Sequence, residues 1–230
     1  MKTIGLIGGL SWESSAEYYR IINREVQRRL GGTHSAKTLM YSFDFGEIEE
    51  LQEAARWDDA RDLMIAAGKK LAAGGADFLV ICSNTMHRVA DAVEWQSRLP
   101  VLHIADATAA KIKQTKLKRV GLLGTAYTME QDFYKGRLSE KHGLDVLIPN
   151  EAERALVHRV IYEELVRGQV KDASRAAYRK ILARLVDEGA EAIILGCTEI
   201  SLLVKAEDSS VPLFDTAEIH ALAAVDMALA

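Results

Sequence analysis

The chain has 230 residues and a formal charge of -4, with 49% apolar and 7% aromatic residues. This length is enough for two small lobes or one large domain, and the aliphatic residues are numerous enough to fill buried sheets. The small negative charge gives no basic footprint for nucleic acid, and no apolar run reaches the roughly 20 residues that a membrane span needs. We therefore expect neither nucleic acid nor a membrane as a partner.

Short apolar runs alternate with helical patterns along the chain, which predicts an α/β fold with parallel sheets covered by helices. The runs are mostly not alternating, as expected of strands buried on both faces. The predicted strands are Thr3–Ile7, Lys37–Phe43, Phe78–Cys82, Val101–Ile104, Val120–Leu123, Leu144–Ile148, Ala192–Leu195 and Pro212–Phe214. The predicted helices are Ser15–Leu30, Glu47–Ala54, Trp57–Ala73, His87–Trp95, Ala107–Gln114, Met129–His142, Glu151–Arg167, Asp172–Glu188 and Thr216–Ala228.

Two segments of the chain read alike, GGADFLVICSNT at residues 74–85 and EGAEAIILGCTE at residues 188–199. Their offset of 114 residues aligns Asp77 with Glu191 and Ser83 with Cys197. Repeated strand–helix units are common in α/β proteins, but the aligned acidic residues favour a true duplication. We interpret the chain as two similar lobes related by a pseudo-two-fold axis, with an active site in the cleft between them.

The expected lobe boundaries follow from this duplication. Residues 1–104 together with 212–230 are predicted to form the first lobe, and residues 105–211 the second. The last segment is assigned to the first lobe because the strand at 212–214 needs a sheet to join.

Polar turns follow four of the predicted strands, at the positions where parallel sheets bind ligands. Helix N-termini at such turns attract carboxylate or phosphate groups, so we expect a small anionic ligand, most simply a carboxylate. The glycine turn IGLIGGLS lacks the Gly-x-Gly-x-x-Gly spacing and does not predict a dinucleotide site. The four turns are 8–11, 83–85, 124–128 and 196–199.

Cys197 is the strongest candidate for a nucleophile or base, although a buried structural thiol is the simpler alternative. It opens a predicted helix, whose dipole is expected to lower the pKa of the thiol. Cys82 precedes Ser83 in a strand, so the two side chains are expected to point to opposite faces. His87 and His103 are candidates for an acid, a base or a residue that binds the carboxylate of a ligand. The alternative is that each is a packing residue. Two cysteines 115 residues apart with scattered histidines do not predict a metal site.

Several longer motifs together resemble the aspartate/glutamate racemase superfamily, specifically its bacterial branch of broad-specificity or L-aspartate/glutamate-specific amino-acid racemases. The resemblance covers nearly the whole chain. Its motifs are IGLIGGLSWESS from Ile4, CSNTMH from Cys82, LHIADAT from Leu102, LLGTAYTMEQDFY from Leu122 and LGCTEI from Leu195.

This resemblance implies a cofactor-independent isomerase that moves the Cα proton of aspartate, glutamate or a broader set of amino acids. One residue from each lobe flanks Cα, and the usual pair is two cysteines. Here Cys197 and Ser83 are the implied catalytic pair, with Ser83 where the family has its first cysteine. A serine hydroxyl is far less acidic than a thiol, so the two faces are not expected to be served equally. The implied substrate-binding residues are Ser11, Gln52, Asn84, Thr85, Thr125, Thr128, Thr198 and Glu199.

Ser83 leaves several interpretations open. In the first, the enzyme racemises slowly or prefers one enantiomer. In the second, it performs one-sided chemistry, as superfamily decarboxylases or isomerases with a single cysteine do. In the third, Ser83 is an engineered replacement of a cysteine. A non-catalytic amino-acid binder that kept the fold is a further alternative. Ser83 could also relay a proton from His87, and Gln52 or Arg56 could meet a substrate side-chain carboxylate. The resemblance implies a homodimer, and the two cysteines fit a cytoplasmic protein with free thiols.

Overall fold

The first unit comprises Met1–Ile104 and His220–Ala230 and contains a three-stranded parallel sheet. The computed structural model describes all 230 residues. The strands are β1 (Ile4–Gly8), β2 (Thr38–Ser42) and β3 (Phe78–Ile81), and β1 lies at the centre. Every residue of β1 and β3 is buried, which explains their continuous apolar sequences. The helices that begin in this unit are α1 (Trp12–Leu30), α2 (Phe45–Glu53), α3 (Trp57–Ala73), α4 (Ala90–Ser97) and α5 (Ile104–Gln114).

Helices α2, α3 and α4 cover one face of this sheet and form an apolar core with it. Ile48 of α2, Met64 of α3 and Val93 of α4 pack with Leu79 of β3 in one buried cluster. Burying an aliphatic side chain of this size stabilises a fold by roughly 1.5–3 kcal/mol. This core holds the carboxyl ends of β1 and β3 in fixed positions.

The second unit comprises Ala105–Ile219 and contains a four-stranded parallel sheet in the order β5-β4-β6-β7. Its strands are β4 (Arg119–Gly124), β5 (Asp145–Leu147), β6 (Ala192–Gly196) and β7 (Leu213–Asp215). Its further helices are α6 (Ala126–Glu130), α7 (Glu151–Glu163), α8 (Asp172–Asp187), α9 (Ile200–Leu203) and α10 (Thr216–Leu229), which ends in the first unit. Two parallel sheets flanked by helices confirm the predicted α/β class. No helix combines the length and the apolar composition needed to span a membrane.

The two sheets share the same register between their central strand pairs. Ile4 of β1 lies opposite Phe78 of β3, and Val120 of β4 lies opposite Ala192 of β6. These are the positions that the sequence repeat aligns.

An acidic residue before the second strand of each pair plays the same structural role in both units. The Asp77 carboxylate accepts a hydrogen bond from the backbone N–H of Thr3, at 2.6 Å. The Glu191 carboxylate accepts hydrogen bonds from the backbone N–H groups of Lys118 and Arg119, both at 2.9 Å. Each carboxylate therefore binds the start of the neighbouring central strand, which explains why the repeat retains an acidic residue there.

Strand β7 lies in the second sheet, not in the first as the sequence suggested. Leu213 pairs with Ile193 of β6, and the backbone N–H of Ile193 donates to the carbonyl of Pro212 at 2.9 Å. The open edge of β6 thus provides the sheet that this strand needs, and residues 212–219 belong to the second unit. Only from His220 onwards does the chain belong to the first unit.

Two predicted elements are shorter in the structure because helices begin or end earlier than expected. The run 101–104 contributes one parallel bridge, from Val101 to Leu79, because Ile104 already begins α5. Helix α7 ends at Glu163, and a separate 3₁₀ turn, Leu165–Arg167, follows it.

The predicted helix 129–142 is interrupted in the structure. Helix α6 ends at Glu130, and a one-turn π-helix, Arg137–Lys141, follows after a gap. The cations of this second segment converge on Asp106 of α5, with distances of 2.7 Å from Arg137 Nε and 2.7 Å from Lys141 Nζ. Burial alone would raise the pKa of Asp106, but hydrogen bonds from Arg137, His142 and Lys141 outweigh burial and hold it well below its usual range. This ion-pair cluster favours the local turn over a continuous helix.

Candidate functional site

Each unit presents two polar turns at the carboxyl edge of its own sheet. In the first unit, Ser11 follows β1 and Ser83 follows β3, and these strands are parallel neighbours. In the second unit, Thr125 follows β4 and Cys197 follows β6, which are again parallel neighbours. The turns of each pair therefore lie at the edge where parallel sheets bind ligands.

Cys197 follows β6 directly, and its buried thiol contacts a buried carboxylate. Its Sγ donates to Oε2 of Glu199 at 3.0 Å, and the hydroxyl of Thr198 donates to the same oxygen at 2.8 Å. The other carboxylate oxygen of Glu199 is also buried and has no hydrogen-bond partner. A buried carboxylate oxygen of this kind can accept a further hydrogen bond from a bound ligand.

Burial raises the pKa of Cys197 well above its ordinary value, and the negative charge and hydrogen bond of Glu199 raise it further. The backbone N–H groups of Glu199 and Ile200 lower the pKa by less. Helix α9 begins at Ile200 and has only four residues, so its dipole has little effect. The expectation that a following helix lowers the pKa of this thiol is therefore wrong. The Cys197 thiol needs a base to release its proton, and Glu199 is within hydrogen-bond distance.

Ser83 occupies the equivalent position in the first unit, but its surroundings differ. Its hydroxyl is partly buried and accepts a long hydrogen bond, 3.4 Å, from the backbone N–H of Met86. The adjacent Cys82 is fully buried, and burial raises the pKa of its thiol. Cys82 is thus an inaccessible core residue, as the alternation of side chains along the strand predicted.

His87 and His103 are both buried in the first unit, with ring centroids 4.6 Å apart. Both ring nitrogens of His87 contact backbone groups, the carbonyl of Ser83 at 2.6 Å and the N–H of Ile104 at 3.1 Å. Neither histidine is an exposed acid or base. No group of three or more His, Cys, Asp or Glu side chains has the arrangement of a metal site.

The structure brings Gln52, Asn84 and Thr85 to the same turn as Ser83. All three side chains are buried, and Nε2 of Gln52 contacts the sulfur of Met86 at 3.2 Å. Arg56, in contrast, is exposed and pairs with Asp59 at 2.7 Å. Of the two candidates for a substrate side-chain carboxylate, only Gln52 lies at the turn.

Ser11 caps α1 in a strained backbone conformation, with φ of 121°. Gly9 precedes it with φ of 72°, and a Cβ there would approach the Phe43 backbone to 2.2 Å, so no other residue fits. The Ser15 hydroxyl accepts from the backbone N–H of Gly9 at 2.9 Å and donates to the Ser11 carbonyl at 3.0 Å. These contacts hold a turn that side chains normally disfavour.

Thr125 and Thr128 hold the corresponding turn of the second unit. The Thr125 hydroxyl accepts from the backbone N–H of Thr128 at 3.3 Å, and the two hydroxyl oxygens are 3.2 Å apart. His158 of α7 supports the same turn, because its Nδ1 accepts from the backbone N–H of Ala126 at 3.2 Å. The turn is therefore held by its own hydroxyls and by a neighbouring helix.

Sequence reasoning missed Ser15 and His158, which support the turns, and Tyr178, which lies near Cys197. Ser15 lies one helical turn after Ser11, a spacing that could have identified it. Tyr178 is fully buried; burial raises the pKa of its hydroxyl, and the nearby charges of Cys197 and Glu164 raise it further. Nothing in the sequence links His158 or Tyr178 to the turns, because both come from other helices.

The fold and the turns define a two-unit α/β protein with a thiol at the carboxyl edge of one sheet and a hydroxyl at the matching edge of the other. The sequence profile of the Asp/Glu/Hydantoin racemase family matches residues 7–224. The chain belongs to this family and thus to the isomerases.

Two crystal structures and one curated protein illustrate how similar the relatives are. A candidate Asp/Glu racemase from Yersinia pestis has 55% identity and a TM-score of 0.94, with both chains covered completely. An aspartate racemase homologue from Pyrococcus horikoshii OT3 has 37% identity and a TM-score of 0.83, again over all of both chains. The broad specificity amino-acid racemase RacX of Bacillus subtilis is 24% identical over 177 residues, which is 75% of this chain and 74% of RacX.

Proposed function

We propose that this chain is a cofactor-independent amino-acid racemase that acts on aspartate, glutamate or a broader set of amino acids. Cys197 is one acid/base, and Ser83 occupies the position of the second. The observation that carries this proposal is the Cys197 thiol, which follows β6 at the ligand-binding edge and donates to the buried Glu199 carboxylate at 3.0 Å.

The proton movements follow from this pair. The Glu199 carboxylate takes the Sγ proton, and the resulting Cys197 thiolate removes the Cα proton of the substrate. The electron pair of the Cα–H bond passes into the substrate carboxylate, giving a planar carbanion. A proton returns to the opposite face from the Ser83 side and solvent replaces it, while Glu199 releases to solvent the proton that it took, so the site returns to its starting state. General acid–base catalysis of this kind typically contributes about 10²–10⁴-fold to a rate.

The remaining turn residues are proposed to hold the substrate. Hydroxyl, amide and backbone N–H groups bind its α-carboxylate, since such donors at helix starts favour anions. Gln52 contacts the substrate side chain, and the second oxygen of Glu199 accepts from its ammonium group. The proposed carboxylate ligands are Ser11, Asn84, Thr85, Thr125, Thr128 and Thr198.

Hydrogen exchange at Cα tests this proposal directly. Each enantiomer of aspartate, glutamate and several neutral amino acids is incubated with the enzyme in D2O, and deuterium at Cα is measured by mass spectrometry. We expect exchange without added cofactor, and a loss of at least about 10³-fold in Cys197→Ala. Cys82→Ala is the matched control, because it removes the chain's other thiol from a buried position outside the turn.

The outcomes separate the alternatives. Exchange that survives in Cys197→Ala contradicts the assignment of this residue. Release of CO2 from a malonate-like acid without racemisation indicates a decarboxylase with a single cysteine. Tight binding of an amino acid without any exchange indicates a binding protein.

Two expectations from the sequence accompany this proposal. Both cysteines are free thiols, which fits the proposed cytoplasmic setting. The proposed homodimer is tested by sedimentation velocity, where a mass near 25.4 kDa would contradict it.

A further inference from the structure

The contacts of His87 define its protonation state. Its Nε2 lies 3.1 Å from the backbone N–H of Ile104, so this nitrogen accepts and carries no proton. Its Nδ1 lies 2.6 Å from the carbonyl oxygen of Ser83, which can only accept, so Nδ1 carries the proton and donates. The two contacts together specify a neutral imidazole with the proton on Nδ1.

His87 contacts the backbone of Ser83 and not its side chain. The Ser83 hydroxyl instead accepts from the Met86 N–H on the same turn. A proton on Nδ1 of His87 is directed at the carbonyl, so the imidazole has no direct path to the hydroxyl. The geometry therefore disfavours His87 as a proton relay.

A second buried histidine holds the segment that His87 binds. His220 Nε2 donates to the carbonyl of Leu102 at 2.7 Å, and its Nδ1 accepts from the Tyr18 hydroxyl at 2.8 Å. The ring centroids of His87 and His220 are 5.5 Å apart, and those of His87 and His103 are 4.6 Å apart. The Leu102–Ile104 segment is thus bound by imidazoles at both ends, which gives His87 a fixed anchor.

We propose that His87 is a positioning residue, which ties the Ser83 turn to the backbone of Ile104 and thereby orients the Ser83 hydroxyl. This inference rests on the proposed function, because it assigns Ser83 one face of the substrate. A shift of about 1 Å in a group at a reacting centre can cost about 10²-fold in rate. The effect should fall on the face that Ser83 serves.

Two substitutions separate the two contacts of His87. In His87→Asn, the amide N–H₂ can replace Nδ1 and donate to the Ser83 carbonyl, but the side chain is too short to reach Ile104. In His87→Gln, the amide oxygen can replace Nε2 and accept from Ile104, while the contact with Ser83 is lost. Both variants lose one hydrogen bond, so they are matched for a general effect on folding.

The readout is the ratio of the initial Cα exchange rates of the two enantiomers of one substrate. Because the tie between the Ser83 turn and Ile104 needs both contacts, we expect each variant to change the ratio about tenfold. A merely structural role would lower both rates together and leave the ratio unchanged in both variants. An unchanged ratio in either variant would overturn the proposal.

A measurement on the wild-type protein covers the case in which neither variant folds. Nitrogen-15 NMR of the histidine rings at pH 7.5 should show His87 as the neutral form with its proton on Nδ1. An imidazolium, or a proton on Nε2, would overturn the assigned contacts. This result does not depend on activity, so it remains decisive if no amino acid shows Cα exchange and the proposed function fails.

Discussion

The turn after β3 and the turn after β6 occupy equivalent places in two units of the same architecture, yet they carry different chemistry. The turn after β3 has hydroxyls at both Ser83 and Thr85, whereas the aligned positions after β6 are Cys197 and Glu199. The flanking structure is retained, since Asp77 and Glu191 bind the neighbouring strand in the same way. The two units thus share the contacts that position the turns, while at these aligned positions the titratable side chains lie in the second unit.

The largest effect in this comparison is expected from Glu199→Gln, which makes the second turn as neutral as the first. The amide cannot take the Sγ proton of Cys197, so kcat should fall about 10- to 100-fold with a smaller change in KM. Cα exchange kinetics over a range of substrate concentrations measure both constants.

The conservative control is Glu199→Asp, which keeps the carboxylate on a shorter side chain. It should retain more activity than Glu199→Gln if the charge matters, as the thiol–carboxylate contact indicates. Equal kcat values for Glu199→Gln and the wild type would show that Cys197 loses its proton to another group.

Ser83→Cys should make the first turn more like the second and raise the slower of the two enantiomer exchange rates by about tenfold. A thiol titrates near ~8.5 and exchanges protons far more readily at neutral pH than a serine hydroxyl. Initial exchange rates for both enantiomers should therefore become more equal.

Ser83→Ala provides the comparison for this variant, because it removes the hydroxyl without adding a thiol. It should make the two rates less equal than in the wild type. If Ser83→Cys and Ser83→Ala gave the same ratio as the wild type, the first turn would have no part in proton transfer.

The strands and turns of this fold were predictable because each is a local pattern. Continuous apolar runs marked β1, β3, β4 and β6, and the small polar residues after them marked the turns. The repeat by itself aligns Ser83 with Cys197. Local sequence and internal repetition thus contain most of what positions the candidate site.

The features that sequence could not predict depend on contacts between distant segments. Strand β7 has three residues, too few to indicate which sheet edge it joins, and it pairs with β6. The break before Arg137 depends on Asp106, which lies 31 residues earlier in the chain. The raised pKa of Cys197 arises from burial, which a helix-dipole argument on the local motif does not include.

The smallest effect in the comparison of the two units concerns stability and involves one histidine from each, the fully buried His220 and the partly buried His158. Burial, and then repulsion from His87 when that ring is protonated in acid, lowers the pKa of His220 in the first unit to about 3, and the bond to the Leu102 carbonyl offsets this only in part. Burial also lowers the pKa of His158 in the second unit, with a partial offset from Glu130. Both groups are held neutral in the folded state and become protonated more readily when the chain unfolds. The ordinary pKa of a histidine side chain is about 6.5. The contribution of these two groups to stability is therefore present above this pH and is lost as the pH falls towards their folded pKa.

Urea unfolding at pH 7.5, 6 and 5 measures this loss for each unit. His220 should account for about 2 kcal/mol of destabilisation between pH 6.5 and pH 5. In this range, protonation of the histidine stabilises the unfolded state by about 1.36 kcal/mol per pH unit. His158 keeps part of its exposure to solvent and should account for less. Its neighbours Glu130, Tyr127 and Tyr162 all lie in the second unit, so substitutions of His158 and His220 test the two units separately. His220→Gln should therefore remove more of the pH dependence than His158→Gln, and the reverse order would show that the second unit limits stability in acid.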